Sequence, residues 1–232
     1  MIPISSWYPA LGQFSFPTVF VELRNEEIKA LLAEDAATPP ALAAIARIQQ
    51  AIRDLPGSSF IGSDVCAPTD SDNFGNGRVS YGKVAWRILS TSSKVTEAIR
   101  QGTTRRITVR PFRRMNKMRE FRAFFKNRDL IGMSQYHLAE GHLSKLLKRD
   151  KDIWRKARKF AARIAEFLPL DDVVVDLYLT SDDRLLIVDL NSWGPPTDPL
   201  LFKTWDRNWE DAPELKLIPA PVKMKGEVSV SF

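Results

Sequence analysis

The sequence predicts an α+β fold of two lobes with largely antiparallel sheets. Short helical and strand-like segments come first, and the rest of the chain resembles two hairpins around one long helix. Neither GxGxxG after a strand nor GxxxxGK followed by Ser or Thr occurs, so neither a Rossmann site nor a P-loop is indicated. With 232 residues and 44% hydrophobic content, the chain is long enough for a sizeable core. We expect an N-terminal lobe over 1–105, a C-terminal lobe over 106–205 and a tail over 206–232.

The first lobe is predicted to alternate strands and helices. Residues 18–23 form a short apolar strand, and 25–35 form a helix that begins with Asn and has acids in its first turn. Residues 39–57 repeat apolar side chains at helical spacing between Pro and Pro-Gly. Residues 62–82 are rich in Gly, Ser, Asp and Asn, which predicts a loop with a short strand in it. A third helix, 92–102, has a Ser at its start and a Gly at its end.

The second lobe is predicted to contain two hairpins and an amphipathic helix. A strand at 106–112 precedes a hairpin at 120–138. Residues 152–168 place apolar side chains on one helix face and Lys and Arg on the other. Two strands, 173–180 and 184–190, form the second hairpin.

The tail and the overall composition allow fewer predictions. The tail shows little periodicity, with one candidate strand at 227–232. Cys66 is the single cysteine, so an internal disulfide is excluded, which fits a reducing compartment. No secretory signal is visible, and no apolar run approaches the ~18–20 residues that cross a bilayer. We therefore expect a cytoplasmic protein that does not interact with membranes.

Basic residues are concentrated in the middle of the chain. The formal net charge is +6, and residues 100–128 contain eleven Lys or Arg and one acid, Glu120. Such a block attracts phosphate on a nucleotide, a nucleic acid or a lipid surface. A solvated basic face is the simpler interpretation of charge alone, and a nucleic-acid partner through 100–128 stays open.

The last predicted hairpin carries oxygen ligands in an otherwise apolar setting. Asp176 and Asp189 lie on the two strands at positions that a turn at 181–183 brings together, and Asn191 shares a face with Asp189. Two carboxylates and an amide oxygen suit Mg²⁺, and a bound cation or an arginine compensates for their desolvation. The alternative is an ordinary strand end in which Asp189 caps a turn.

The basic hairpin offers a second half of a site. Arg122 and Lys126 fall on one strand face, with Phe124 between them and Glu120 on the same face. Arg binds phosphate oxygens through its planar fork, so this face opposite an acidic metal site fits a polyphosphate. The alternative is a cross-strand ion pair of Glu120 with an Arg or Lys.

Several segments together resemble the cell division cycle protein 123 family. They are EFRAFFKNRDLIGMSQ (120–135), VVVDLYLTSDDRLLIVDLNSWGPPTDPLLFKTW (173–205), SSWYPALGQFSFPTVFVEL (5–23), CAPTDS (66–71) and ITVRPF (107–112). The family pattern has E-F-R-x-F, D-x-Y, I-D-x-N and T-D-x-L-L-F in this order. The combined set is specific, whereas any single piece is not.

The resemblance implies an ATP-grasp fold, in which two lobes enclose a nucleotide cleft that holds ATP and Mg²⁺. The metal ligands implied are Asp176, Asp189 and Asn191. The nucleotide-binding residues implied are Arg110, Pro111 and Phe112 on the interlobe strand near the adenine, Arg122 and Lys126 near the phosphates, and the two aspartates.

The resemblance also implies a role for the protein. In eukaryotes, members of this family assist assembly of the heterotrimeric translation initiation factor 2, so we expect an ATP-dependent assembly factor or chaperone with a protein partner. The alternative is an ATP-dependent ligase at the same site, joining a carboxylate to an amine or nucleic-acid ends. A nucleic-acid-binding module without ATP chemistry is a third possibility. No catalytic residue is assigned.

The sequence departs from the family pattern at one lysine. The family has Pro-Lys-Leu-Asn-Trp before A-P-x-D, where this chain has FIGSDVCAPTD with Ile61 at the lysine position. That lysine is expected to contact ATP phosphates. We hypothesise that Lys83 or Arg87, on the following strand, replaces it.

Overall fold

The computed structural model of the chain describes residues 1–140, 144–209 and 214–220. Its strands form two sheets. The first sheet contains β1 (Val19–Glu22), β2 (Ser59–Ser63), β3 (Arg78–Val79) and β4 (Arg106–Pro111), in the order β1-β4-β2-β3 with antiparallel pairing throughout. The second sheet contains β5 (Glu120–Lys126), β6 (Asp129–Gln135), β7 (Val173–Leu179), β8 (Leu185–Ser192) and β9 (Glu214–Lys216), in the order β8-β7-β5-β6-β9. Among these nine strands, β9 alone is parallel to its neighbour, β6, so the predicted α+β class with largely antiparallel sheets is confirmed.

Seven α-helices accompany these sheets in the described part of the chain. They are α1 (Ile4–Leu11), α2 (Asn25–Leu32), α3 (Pro39–Arg53), α4 (Gly82–Ser90), α5 (Ser93–Arg100), α6 (Ser144–Leu147) and α7 (Asp150–Ile164). Within the described residues, no helix combines the length and the apolar character that crossing a membrane requires.

The first lobe has a core between the first sheet and helices α2 to α5. Ile48 of α3 and Trp86 of α4 are buried against Ile61 and Val109 of the sheet. Fully burying an aliphatic side chain of this kind contributes ~1.5–3 kcal/mol. Because strand residues alternate faces, Ile61 points toward the helices and its neighbour Gly62 lies on the uncovered face.

The second lobe buries the apolar face of α7 against the second sheet. Phe121 and Phe125 of β5 meet Ile153 and Phe160 of α7 in this core. Helix α1 packs here as well, although it comes first in the chain, and Trp7 is among the side chains it buries. The opposite face of the sheet carries Arg122, Phe124 and a cluster of aromatic rings from residues 193–209.

The lobes do not divide where the sequence predicted. Strand β4 follows the predicted boundary at residue 105 but pairs with β1 and β2, so it belongs to the first sheet. The chain crosses to the second sheet through 112–119, while residues 1–15 pack on the second lobe. The tail contributes β9, and the candidate strand at 227–232 lies outside the described residues.

The expected strand that carries Lys83 and Arg87 is wrong, because both residues lie on α4. The segment follows the predicted loop over 62–82 and buries Ala85, Trp86 and Leu89 on one helical face. Gly82 permits the close approach of α4 to α3, since a Cβ there would lie 2.5 Å from the carbonyl oxygen of Ile45.

Candidate functional site

The two aspartates of the last hairpin lie side by side. Asp176 of β7 is the direct register partner of Asp189 of β8, as the sequence predicted. The side chain of Asn191 donates a hydrogen bond through Nδ2 to Asp176 Oδ2 at 2.9 Å. The hairpin therefore brings the three predicted metal ligands together on one sheet face.

Arg122 lies across from Asp176 on the neighbouring strand and forms a two-pronged ion pair with it. Its Nε donates to Oδ1 at 2.8 Å, and its Nη2 donates to Oδ2 at 3.0 Å. Its remaining Nη1 donates to the carbonyl oxygen of Asp198 at 3.0 Å, and the guanidinium stacks over the Tyr136 ring at 4.8 Å. Both charged residues are buried, so in this structure Arg122 compensates for the charge of Asp176.

Asp189 faces a small cavity between the two sheets. The cavity has a volume of about 70 Å³ and is also lined by Gly62, Thr108 and Arg110 of the first sheet. Burial raises the pKa of the Asp189 carboxyl to about 6; the positive charge of Arg110 opposes this rise and the negative charge of Asp176 adds to it. No hydrogen bond to this carboxylate occurs within the described residues.

Arg110 approaches the same cavity from the first lobe. Its Nε donates to Thr18 Oγ1 at 3.1 Å, and its Nη1 donates to the carbonyl oxygen of Val188 at 3.1 Å. Its Nη2 is buried without a hydrogen-bond partner in the part of the chain that the structure describes. Burial lowers the pKa of this guanidinium, and the nearby Asp189 counteracts that effect. Arg110 thus links the lobes and keeps one donor unused.

The donor set fits a divalent cation. Asp189 offers a carboxylate without hydrogen-bond donors, and Asn191 binds Asp176 through its nitrogen, which leaves its oxygen available. Mg²⁺ usually takes one or two protein carboxylates and completes its shell with water and phosphate oxygens. Among the described residues, no group of three or more His, Cys, Asp or Glu forms a site made of such ligands alone. The arrangement therefore suits a cation shared with a ligand.

Pro111 and Phe112 stand where β4 leaves the first sheet. Pro111 is buried opposite Ser59 of β2, and the amide of Phe112 donates to the carbonyl oxygen of Ser58 at 2.7 Å. These contacts fix the start of the 112–119 crossover, next to Arg110.

Two predicted phosphate ligands lie away from this cluster. Lys126 ends β5, four residues and roughly 13 Å of strand from Arg122. It lines a groove beside α7. Lys83 is exposed on α4, in a shallow pocket with Tyr81 and Arg87 on the helix-covered side of the first lobe. The structure does not bring either lysine to the cavity that Asp189 and Arg110 share.

A further acid–base pair lies at the start of β5. His137 Nε2 and Glu120 Oε2 are 3.1 Å apart, and burial raises the pKa of Glu120 while His137 opposes that rise. The alternative interpretation, an ion pair of Glu120 with an Arg or Lys, is not what the described residues show, because the partner of Glu120 is His137. The Tyr136 amide donates a hydrogen bond to the Glu120 carbonyl oxygen at 2.9 Å. Pairing the E-F-R and S-Q-Y-H segments of the predicted hairpin in this register would have placed His137 close to Glu120.

The basic residues of segment 100–128 lie at the end of α5, on both sheets and on the crossover between them. Several of its arginines are in ion pairs within their own lobe: Arg100 with Glu97, Arg106 with Glu22, Arg119 with Asp183, Arg122 with Asp176 and Arg128 with Asp171. Arg110 is held between the lobes. The excess charge is therefore distributed over both sheets.

Together, these features define a two-lobed α+β protein in which charged groups from both sheets meet at one cavity. A model of the D123 family matches residues 55–229, about three quarters of the sequence, and the chain belongs to that family. This confirms the resemblance to the cell division cycle protein 123 family.

Relatives and solved structures agree with this assignment. The translation initiation factor eIF2 assembly protein of Xenopus tropicalis is 39% identical over 97 residues, which cover 39% of this chain and 28% of that protein. The protein of the same name from Schizosaccharomyces pombe is 33% identical over 110 residues, covering 45% and 33%. The matched part thus spans about a third or less of these relatives. The structure of Cdc123 from S. pombe has a TM-score of 0.79 at 23% identity and covers 94% of this chain and 95% of that one, which shows the shared fold.

Proposed function

We propose that this chain binds ATP with Mg²⁺ between its two sheets and acts as an assembly factor for a protein partner. The observation that carries the proposal is the pairing of two unsatisfied groups at one cavity. A bound cation would stabilise the charge of the Asp189 carboxylate, and a hydrogen-bond acceptor would satisfy the unused Nη2 of Arg110. A metal-bound polyphosphate supplies both, and the two groups belong to different lobes.

The site residues divide into two roles in this proposal. Asp189 and the Asn191 oxygen hold the cation, with Asp176 beside them. Arg110, Pro111 and Phe112 border the nucleotide, and Arg122 contacts phosphates, whereas Lys126 lines the separate groove beside α7. Arg122 uses three of its five N–H groups on Asp176 and Asp198, so one N–H on Nη1 and one on Nη2 remain for a phosphate oxygen.

The cavity size adds a conformational requirement. About 70 Å³ is far below the ~300–1,000 Å³ of typical small-molecule pockets, so the cavity is too small for a nucleoside triphosphate. Binding therefore requires the two sheets to separate, with the 112–119 crossover as the connection that bends. A ligand held by both lobes would then tie them in one arrangement, which is how nucleotide binding could shape a docking face.

The assembly role comes from the relatives. Two relatives that match part of this chain are named as eIF2 assembly proteins, and the matched region covers only part of them. For a eukaryotic host we propose the same factor as the partner. The ligase alternative uses the same cation and nucleotide, and differs in consuming ATP when an acceptor is present.

Calorimetric titration of ATP, with and without Mg²⁺, tests the binding site. We expect the wild type to bind ATP with Mg²⁺ and Asp189→Ala to lose the metal-dependent part. Asp72→Ala is the control, because it also removes one carboxylate but at an exposed position, and it should bind ATP with Mg²⁺ like the wild type. Equal binding by the wild type and Asp189→Ala would remove Asp189 from the site. Lys83→Met tests the remaining lysine hypothesis, and unchanged affinity would dismiss that residue.

Product analysis separates the proposed roles. An assembly factor is expected to bind ATP with little turnover, whereas a ligase forms ADP or AMP when its acceptor is supplied. Nucleic-acid binding is recognised by a steep loss of affinity with salt and by indifference to ATP.

A further inference from the structure

A long groove lies on the outside of the second lobe, away from the proposed nucleotide site. It runs between the β5–β6 hairpin and α7 and has a volume of about 740 Å³. A second depression of about 440 Å³ continues it along α7 and shares Trp154, Arg158 and Ala162 with it. The two together form one continuous surface, which we call the α7 groove.

The floor of the α7 groove is apolar and leaves space for a further side chain. The core-facing side chains of α7, such as Ile153 and Phe160, are buried elsewhere, so the groove uses a different flank of the helix. On that flank, Trp154 is partly buried and Ala162 is exposed, and the small alanine leaves space against Leu130 of the hairpin. Concave apolar surfaces of this kind accommodate a large side chain from a ligand.

The rim of the α7 groove is cationic. Six Lys or Arg side chains line the two depressions against one acid: Lys126, Arg128, Lys151, Arg155, Arg158 and Lys159, against Asp129. Arg128 and Arg155 have acidic neighbours in the fold, Asp171 and Asp152. Lys151, Arg158 and Lys159 form no ion pair with any residue that the structure describes.

We propose that the α7 groove docks an acidic peptide segment that carries a large apolar side chain. The apolar residue would enter beside Trp154 and Ala162, and flanking Asp or Glu would meet Arg158 and its basic neighbours. Charge complementarity of this kind speeds association and sets the register of the partner. The α7 groove would be a docking face for the protein partner of the proposed function, and the proposal rests on the proposed function in this respect alone.

Charge argues against the other occupants. The chain's own segment 221–232 contains Lys223, Lys225 and one acid, Glu227, so it does not complement a cationic rim. A second copy is also basic, with a net charge of +6. A nucleic acid would gain from the rim through its phosphates but leaves the apolar floor unused, since phosphate contacts supply most non-specific affinity.

A peptide titration tests the proposal with three kinds of change. The probe is a fluorescein-labelled 12-residue peptide of Asp and Glu around a central Leu-Phe, measured by anisotropy without nucleotide at about physiological salt. We expect saturable binding that falls about tenfold or more with Arg158→Glu, with Ala162→Trp, and when Leu-Phe becomes Ala-Ala, each a loss of about 1.4 kcal/mol. Arg53→Glu and Ala43→Trp, which make the same changes at exposed positions of α3, are the matched controls and should bind like the wild type.

Several results would overturn the proposal. These are absence of saturable binding, an equal loss in the α3 controls, tighter binding of a peptide of residues 221–232, or tighter binding of oligouridylate that the Arg158→Glu change abolishes. The Mg²⁺–ATP titration is repeated on Arg158→Glu, which is expected to keep wild-type nucleotide binding. Failure of the docking proposal and failure of the nucleotide proposal are thereby distinguishable.

Discussion

At the residue scale, Asp189 is a carboxylate whose charge is costly to hold in the folded protein. Its carboxyl normally has a pKa of 3.8, and burial raises this to about 6. The folded protein therefore holds the proton more tightly than the unfolded chain. Stability falls as the pH rises through about 4 to 6, and the ionised group costs on the order of 2–3 kcal/mol at pH 7.

Asp189→Asn removes that cost without changing the side-chain shape. In the absence of nucleotide we expect the variant to be about 2 kcal/mol more stable than the wild type at pH 7.5, with the difference vanishing near pH 4. Urea denaturation at the two pH values measures it. A difference that is the same at both would contradict the raised pKa, and Asp72→Asn, at an exposed position, should show no such trend.

The Arg122–Asp176 pair predicts a second residue-scale effect. Arg122→Gln leaves a buried carboxylate with the Asn191 amide as its main remaining donor, and we expect a loss of roughly 3 kcal/mol or more in the free energy of unfolding. Arg184→Gln removes an exposed partner of Asp182 and should cost under about 1 kcal/mol. Similar losses in the two variants would show that burial does not set the strength of the Arg122 pair.

Sequence reasoning reaches part of this site. Strand alternation and a turn at 181–183 are enough to place Asp176 beside Asp189, because both are local to one hairpin. The unused Nη2 of Arg110 could not be foreseen, since it depends on how β4 of one lobe meets Val188 of the other. The sequence predicts that a cation or an arginine compensates for Asp176, but it does not identify Arg122, because that contact depends on how β5 pairs with β7.

At the scale of elements, strand alternation shows which positions of β2 face the cavity and which face the helical core. Ile61 is fully buried in the helical core, whereas Phe60 and Gly62 line the cavity that Asp189 faces. A lysine that reaches phosphates from β2 has to occupy a cavity-facing position.

Elements with strong periodicity or clear caps were predicted well, and elements held by distant contacts were missed. The long helix α7 and both hairpins follow from pattern alone. Helix α1 contains Pro9 and has no capping side chain at Pro3, so its sequence gives little sign of a helix. Its first amides instead bond to Asp64: Ile4 N to the backbone oxygen at 2.9 Å, and Ser5 N to Oδ1 at 2.7 Å.

This remote cap gives a prediction for α1. Asp64 also accepts the Ser5 hydroxyl at 2.6 Å, so Asp64→Ala removes two side-chain bonds from the helix start. We expect a loss of about 1–2 kcal/mol, the usual cost of deleting a cap, with faster hydrogen exchange in α1. Ser6→Ala, which removes an exposed hydroxyl in the same turn, should change little. Normal exchange in α1 of the Asp64 variant would show that the cap is dispensable.

At the scale of the whole molecule, the chain's first segment belongs to its last strands. The Ile2 amide donates to the Leu190 carbonyl oxygen at 2.8 Å, and the Ser15 hydroxyl donates to that of Ile187 at 2.8 Å. The segment covers β8, the edge strand of the second sheet, which protects an otherwise open edge. The two hydrophobic cores therefore do not correspond to the N-terminal and C-terminal halves of the sequence.

A pair of tryptophan variants tests that organisation. Trp7 of α1 is buried in the second core and Trp86 of α4 in the first, each 1% exposed. Trp7→Ala and Trp86→Ala should each cost about 3–5 kcal/mol, because each leaves a large cavity. Their hydrogen-exchange patterns should differ: Trp7→Ala accelerates exchange in β7, β8 and α7 more than in α3, and Trp86→Ala does the reverse. If both variants loosen the two lobes equally, the lobes open as one unit, and the lobe separation that we propose for nucleotide binding would have no structural basis.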